Sequence, residues 1–198
     1  FPKNGEELSN LLNKSALLDC KPAILGAGTN VLAPDKGVPG LTVCLKDCLD
    51  GIERVDETHI RVMAGVTMTR CAMFAAKEGL SGLEFAHGIP GTIGGGVYMN
   101  AGAYGGEIAQ VCAEAELMTG SGVRYTRSRE GMAFSYRHSC LEKTGDIVVS
   151  ALLELTPGDP EQIRRHMKEL QAKRSASQPL NYPSAGSAFK RPSRGYAA

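Results

Sequence analysis

Between Gly88 and Gly106 the chain reads Gly-Ile-Pro-Gly-Thr-Ile-Gly-Gly-Gly-Val-Tyr-Met-Asn-Ala-Gly-Ala-Tyr-Gly-Gly. No long helix survives in such a run, because each interior glycine costs about 1 kcal/mol relative to alanine. A solvated linker is equally poor as a description, since Ile89, Ile93, Val97, Tyr98 and Met99 recur through it and call for burial. What remains is backbone folded tightly against something. Without Cβ atoms, main-chain N–H groups approach a ligand closely, and successive N–H groups form an anion-binding nest. The competing structural reading is a glycine-rich crossing between packed elements, which the spacing alone leaves open.

The rest of the composition narrows the setting. With 198 residues, 42% hydrophobic and 22% charged, the chain suits a globular protein of one or two domains with a substantial core. A net charge of +1 without a Lys/Arg cluster argues against a nucleic-acid surface. No apolar run approaches membrane-spanning length and no signal peptide is visible. The six cysteines form no Cys-x-x-Cys pair and have apolar or strand-like neighbours, so they read as reduced thiols of a cytoplasmic protein. The four histidines are dispersed, and no metal site is expected. Opening on Phe1-Pro2 without a methionine, and stopping at Ala198 without a terminating pattern, the chain is expected to be a piece of a longer protein.

Along the chain, Asn4 is placed to cap a helix carrying Leu8, Leu11 and Leu12, with Glu7 as its reciprocal partner. Ala23-Ile24-Leu25 reads as a short strand leading into Gly26-Ala27-Gly28-Thr29-Asn30. This is not a dinucleotide fingerprint: Val31 stands where its third small residue belongs, and Pro34 blocks the helix that should come after. Nor is there a Gly-Lys-Ser/Thr behind it, so a P-loop is excluded. The turn still offers N–H groups to a phosphate; an ordinary strand-ending turn is the alternative. Strands are expected at 41–45, 60–64, 111–118 and 147–155, with Thr67 opening a helix that Gly79 ends. Glu114 and Glu116 alternate with Ala113, Ala115 and Leu117, and 120–122 close a hairpin onto 123–125. Ser128 is read as opening a short helix, and Asp159-Pro160 as starting a longer one with Ile163, Met167 and Leu170 inward.

Four passages together resemble one family. They are Leu25-Gly-Ala-Gly-Thr-Asn-Val-Leu32, Gly82-Leu-Glu-Phe-Ala-His-Gly-Ile-Pro-Gly-Thr-Ile-Gly-Gly95, Phe134-Ser-Tyr-Arg-His-Ser139 and Gln178-Pro-Leu-Asn-Tyr-Pro-Ser-Ala-Gly-Ser-Ala-Phe-Lys190. Their order and content are similar to the UDP-N-acetylenolpyruvoylglucosamine reductase family, flavoenzymes of peptidoglycan precursor synthesis. The Gly-Ile-Pro-Gly run is shared with other flavoproteins of the vanillyl-alcohol-oxidase type; the Tyr-Arg and Ala-Gly-Ser passages are more specific. The resemblance implies an α+β chain with the two-subdomain FAD-binding fold of that type, followed by the start of a substrate-binding domain. On this chain the divisions fall at 1–65, 66–157 and 158–198, the last truncated.

The same resemblance implies FAD as cofactor and NADPH as hydride donor. It implies the enolpyruvyl ether of UDP-N-acetylglucosamine as substrate and UDP-N-acetylmuramate as product, in a cytoplasmic monomer. Cofactor contacts are expected from Gly26, Ala27, Gly28, Thr29 and Asn30, and from Gly88, Ile89, Pro90, Gly91, Thr92, Gly94 and Gly95. Asn100, Gly102, Ala103 and Ile147 complete that set. No Lys or Arg lies within 26–30 or 88–106, so backbone dipoles must supply the attraction for a diphosphate. Arg137 matches the family residue that stabilises an enolate-like anion, and Ser187 the residue that protonates it; Tyr136, Arg137 and Lys190 are expected to hold substrate. Two other readings compete. One is an oxidase or dehydrogenase of the same fold acting on an alcohol or hydroxy acid, with flavin attached covalently through His87. The other is a flavin-free module that binds a phosphate ligand.

Overall fold

Asn4 begins the first helix as expected: its Oδ1 accepts from the N–H groups of Glu6 and Glu7 at 3.0 and 2.9 Å. The Glu7 carboxylate reaches back one residue further than a capping box requires, accepting from Lys3 N–H at 2.8 Å. The computed structural model describes residues 1–178 together with 182, 186, 189, 190 and 192. Helix α1 (Gly5–Leu17) buries Leu8 and Leu12, and β1 (Ala23–Leu25) then pairs in parallel with β2 (Thr42–Cys44). The hairpin β3 (Ile52–Arg54) and β4 (His59–Met63) turns on Asp56, whose carboxylate accepts from the N–H groups of Thr58 and His59, both at 2.8 Å. Helix α2 (Met68–Lys77) is capped by Thr67 and ended by Gly79 at φ +70°.

After β5 (Leu80–Ser81) a 3-10 turn at Glu84–Ala86 leads into the glycine run. The run holds one short helix, α3 (Ile93–Tyr98), and the hairpin β6 (Gly102–Ala103) to β7 (Gly106–Glu107). The helix exists where it does because its glycines let it lie close to its neighbours. A Cβ on Gly94 would stand 2.9 Å from Ala64 Cβ, and one on Gly96 2.8 Å from Met68 Sδ. That close fit offsets the poor helix propensity of the sequence.

Helix α4 (Ile108–Val111) precedes β8 (Cys112–Met118), which turns at 119–122 into β9 (Arg124–Ser128). The helix expected after Ser128 is a single turn: Met132 N–H donates to Ser128 O at 3.0 Å, and Ala133 at φ +47° ends it. Helix α5 (Leu141–Thr144) leads to β10 (Ile147–Glu154), then β11 (Thr156–Pro157) and α6 (Pro160–Ser177), which Asp159 caps.

The main sheet is antiparallel with the order β3-β4-β10-β8-β9. It therefore draws strands from both sides of the 65/66 division expected from the sequence. Strand β10 lies at its centre, buried on both faces: Val149, Ala151 and Leu153 are inaccessible, and Ser150 is 1% exposed. Each such Val or Leu contributes about 1.5–3 kcal/mol by leaving water. Truncating Leu153 to alanine would cost about 2–5 kcal/mol. Ser150 Oγ is tolerated because it donates to Glu116 Oε2 at 3.0 Å. Helix α3 packs across β10, which brings the glycine run onto the sheet beside the 26–30 turn. The mixed helix and sheet architecture is the α+β class expected from the sequence.

Candidate cofactor cleft

The two glycine loops meet. Thr29 Oγ1 donates to Pro90 O at 3.2 Å, and a Cβ on Gly26 would stand 2.8 Å from Thr92 Oγ1. A Cβ at position 26 would therefore displace the side chain of Thr92, which caps α3. Beside this junction opens a cleft of about 1470 Å³. Residues 26–30 line it from β1, and Ile89, Pro90, Gly91, Thr92, Gly94 and Gly95 from the run; Gly102, Ala103 and Ile147 also face it. So do Tyr136, Arg137 and Lys190, expected to hold substrate.

The cleft fits an anionic group of the FAD diphosphate class. Among the described residues, no acceptor is recorded for the N–H groups of Ala27, Gly28, Thr29 and Asn30, or for those of Gly91 and Thr92. Such successive free donors make a nest for an anion. Gly28 adopts φ +72°, and the nearest atom to a Cβ placed there is Leu25 Cδ2 at 4.0 Å. The backbone at Gly28 is thus bare toward open space, as close approach by a ligand requires.

Two expected cofactor residues lie elsewhere. Asn100 is wholly buried, at φ +43°. Its side-chain amide donates to Ser135 O at 2.9 Å, and its Oδ1 accepts from Ala109 N–H at 2.8 Å. It fastens the run to the loop that carries Arg137. Gly88 faces α6 instead: a Cβ there would meet Arg174 Cδ and Gln171 Oε1, each at 3.4 Å. Ser187 lies outside the described residues.

Arg137 is held at several points. Its guanidinium donates to Asn100 O at 3.3 Å and to Gly102 O, and lies 5.1 Å from the Tyr136 ring centroid. No described carboxylate pairs with it, so its charge is fixed by neutral groups alone. The residue takes φ +53° and neighbours Ser139, whose hydroxyl donates to Tyr98 O at 2.6 Å. That bond is a second tie between the arginine loop and the glycine run.

Some lining residues escaped the sequence reading. Tyr104 faces the cleft from the β6–β7 turn, at φ +54° with Gly105 at φ +85°. Two successive left-handed residues are the signature of a tight hairpin, and Ala-Tyr-Gly-Gly carried that signal. Lys21 and Phe189 also line the cleft, one just before β1 and one beside Lys190, and nothing in their local sequence marks them. His87, the candidate for covalent flavin attachment, does not line the cleft. It borders a cavity of about 10 Å³ between the 3-10 turn and α6, where its Nδ1 is buried without a partner among the described residues.

Residues 1–126 match the family described as the FAD binding domain. The chain is 45% identical to the UDP-N-acetylenolpyruvoylglucosamine reductase of Lactobacillus acidophilus, over 97% of this chain and 64% of that protein. It is 40% identical to the reductase of Halalkalibacterium halodurans, over 100% of this chain and 65% of that one. A crystal structure of UDP-N-acetylenolpyruvylglucosamine reductase from Thermus caldophilus matches with a TM-score of 0.79 at 33% identity, covering 96% of this chain and 66% of the other. The resemblance carried by the four sequence passages thus extends over nearly the whole chain, while the chain spans about 64% of the length of such relatives.

Proposed function

The chain belongs to the FAD binding domain family, and from that premise we propose that it is the cofactor-binding part of a cytoplasmic UDP-N-acetylenolpyruvoylglucosamine reductase that uses NADPH. One observation carries the reading: an arginine without a carboxylate partner among the described residues lines the same cleft as two abutting glycine loops whose N–H groups have no acceptor among those residues. Among the described residues no helix is long and apolar enough to cross a membrane.

Bound FAD would supply two-electron transfer, accepting hydride from NADPH and passing it to the enolpyruvyl double bond. The protein does the rest. The N–H groups of 27–30, with Gly91 and Thr92, hold the diphosphate, and backbone dipoles do this without a lysine or arginine from either loop. Hydride arriving at the methylene carbon leaves an electron pair on the carbon that bears the carboxylate. Arg137 faces the enolate-like anion so formed and offsets its charge. Asn100 O and Gly102 O fix the guanidinium beforehand, so little reorganisation is needed as the charge appears. Ser187 gives its proton to that carbon, completing addition of one hydride and one proton. Lys190 and Tyr136 orient the nucleotide-sugar end of the substrate.

The reading is tested on the full-length protein by its visible spectrum and by acid precipitation. A flavin absorbance with FAD released free into the supernatant supports it. Flavin retained on the precipitate supports the covalent oxidase instead, and absence of flavin binding by the reconstituted protein supports the phosphate-binding module.

A further inference from the structure

Gly88 opens the glycine run but turns away from the cleft, and helix α6 covers it. The Arg174 guanidinium, in the last turns of α6, donates to Gly88 O. The preceding carbonyl is held as well: Thr69 Oγ1 of α2 donates to His87 O at 2.7 Å. Two consecutive carbonyls at the root of the loop are therefore pinned, one from α2 and one from α6. Three residues on, Gly91 and Thr92 line the cleft, their N–H groups without an acceptor among the described residues. Arg174 is half-buried, and its stem packs against Gly88 with Gln171, so it has little freedom to leave. Helix α6 lies beyond residues 1–126, the stretch shared with FAD binding domains, so the contact joins that stretch to the C-terminal part of the chain. That C-terminal part includes Phe189 and Lys190, which return to the cleft.

From this arrangement we infer that Arg174 is a positioning residue that sets the 88–92 loop for FAD and ties it to the helix leading toward the substrate side. The inference rests on the reading of the cleft as an FAD site. A guanidinium suits the role because a charge-assisted hydrogen bond to a carbonyl is about twice as strong as a neutral one and is directional. Losing it frees the peptide at Gly88, and the loop must then be ordered at the moment the cofactor binds. That ordering cost appears as weaker affinity.

The test uses the full-length apoprotein and three variants: Arg174→Ala, Arg174→Lys and Thr69→Val. FAD affinity is measured by quenching of flavin fluorescence, and amide hydrogen exchange is followed across residues 86–96 without flavin. Arg174→Ala is expected to weaken FAD binding about tenfold or more, the equivalent of one charge-assisted bond. It should also speed exchange in the loop while leaving exchange in the β10 core unchanged. Arg174→Lys should recover part of the affinity, and millimolar guanidinium ion should restore part of it to Arg174→Ala, which a purely structural loss would not show. Thr69→Val should weaken binding by a smaller factor. FAD affinity within twofold of the parent in Arg174→Ala, or weakened affinity with loop exchange unchanged, overturns the inference. If the parent protein itself binds no FAD, the cofactor reading falls rather than this joint. Should Arg174→Ala fail to fold, Arg174→Lys and Thr69→Val carry the same comparison.

Discussion

Asn100 and Arg137 hold each other in place from loops 37 residues apart. Arg137 donates to the Asn100 carbonyl at 3.3 Å, while the Asn100 amide donates to Ser135 O at 2.9 Å, two residues before the arginine. A residue expected to touch cofactor is thus the one that aims the candidate catalytic charge. Asn100→Ala should remove two hydrogen bonds from a fully buried site, one given and one received. Urea unfolding should show a loss of about 2–4 kcal/mol. Asn100→Gly loses the same bonds but accepts φ +43° more readily, so it should be about 1 kcal/mol more stable than the alanine variant.

The glycines of the two loops separate into two kinds. Gly28→Ala places a methyl in open space with some left-handed strain, so stability should fall by about 1–2 kcal/mol. FAD affinity should fall by more than tenfold, since the methyl occupies the line of approach. Gly94→Ala drives its methyl into Ala64, at 2.9 Å, and should destabilise the apoprotein by about 1–3 kcal/mol. Comparing thermal unfolding with flavin titration for the two variants checks the division.

The turn at Asp56 gives a definite pH dependence. Hydrogen bonds from Thr58 N–H, the His59 ring and His59 N–H hold the Asp56 carboxyl down at about 2, below its ordinary 3.8. A carboxylate with a depressed pKa stabilises the fold above its unfolded value, and the stabilisation is lost as pH falls through the folded one. The contribution should therefore be complete above pH ~4 and vanish between about 4 and 2. Asp56→Ala should flatten the acid limb of stability in that window alone, read by urea midpoint against pH.

Cysteine labelling reports the core directly. Burial pushes the Cys71 and Cys112 thiols up to about 12, leaving almost no thiolate at neutral pH. Iodoacetamide at pH ~8 should label the half-buried Cys20, Cys44 and Cys140 first and spare Cys71 and Cys112 until the protein unfolds. Peptide mass spectrometry gives the order.

Much of this molecule was legible because its signals are local. Asn4, Thr67 and Asp159 cap helices through their own side chains, and in the middle of β8 the half-buried Glu114 and Glu116 alternate with the buried Ala115 and Leu117. The glycine run was legible as tight backbone, though its short helix was not. That helix depends on Ala64 and Met68, residues remote in sequence that accept glycine at close range. Gly88 and Asn100 look in sequence like their cofactor-facing neighbours, and only the positions of α6 and the arginine loop distinguish them. Likewise Ser128 opens a helical turn that nothing extends, because Ala133 leaves helical space to start the loop of Arg137.

In the proposed reaction Arg137 serves the step in which the enolpyruvyl group is reduced, on a flavin held by the two glycine loops. Anaerobic rapid mixing of the full-length protein, followed at the flavin absorbance band, reads that step apart from reduction by NADPH. The parent protein should be bleached by NADPH and regain its absorbance with one equivalent of UDP-N-acetylglucosamine enolpyruvate. Arg137→Ala should bleach at nearly the parent rate and recover at least about a hundredfold more slowly, the scale of losing one charge-stabilising donor. A reduced flavin that the enolpyruvyl substrate cannot reoxidise, or an Arg137→Ala variant slowed only in bleaching, would contradict the account.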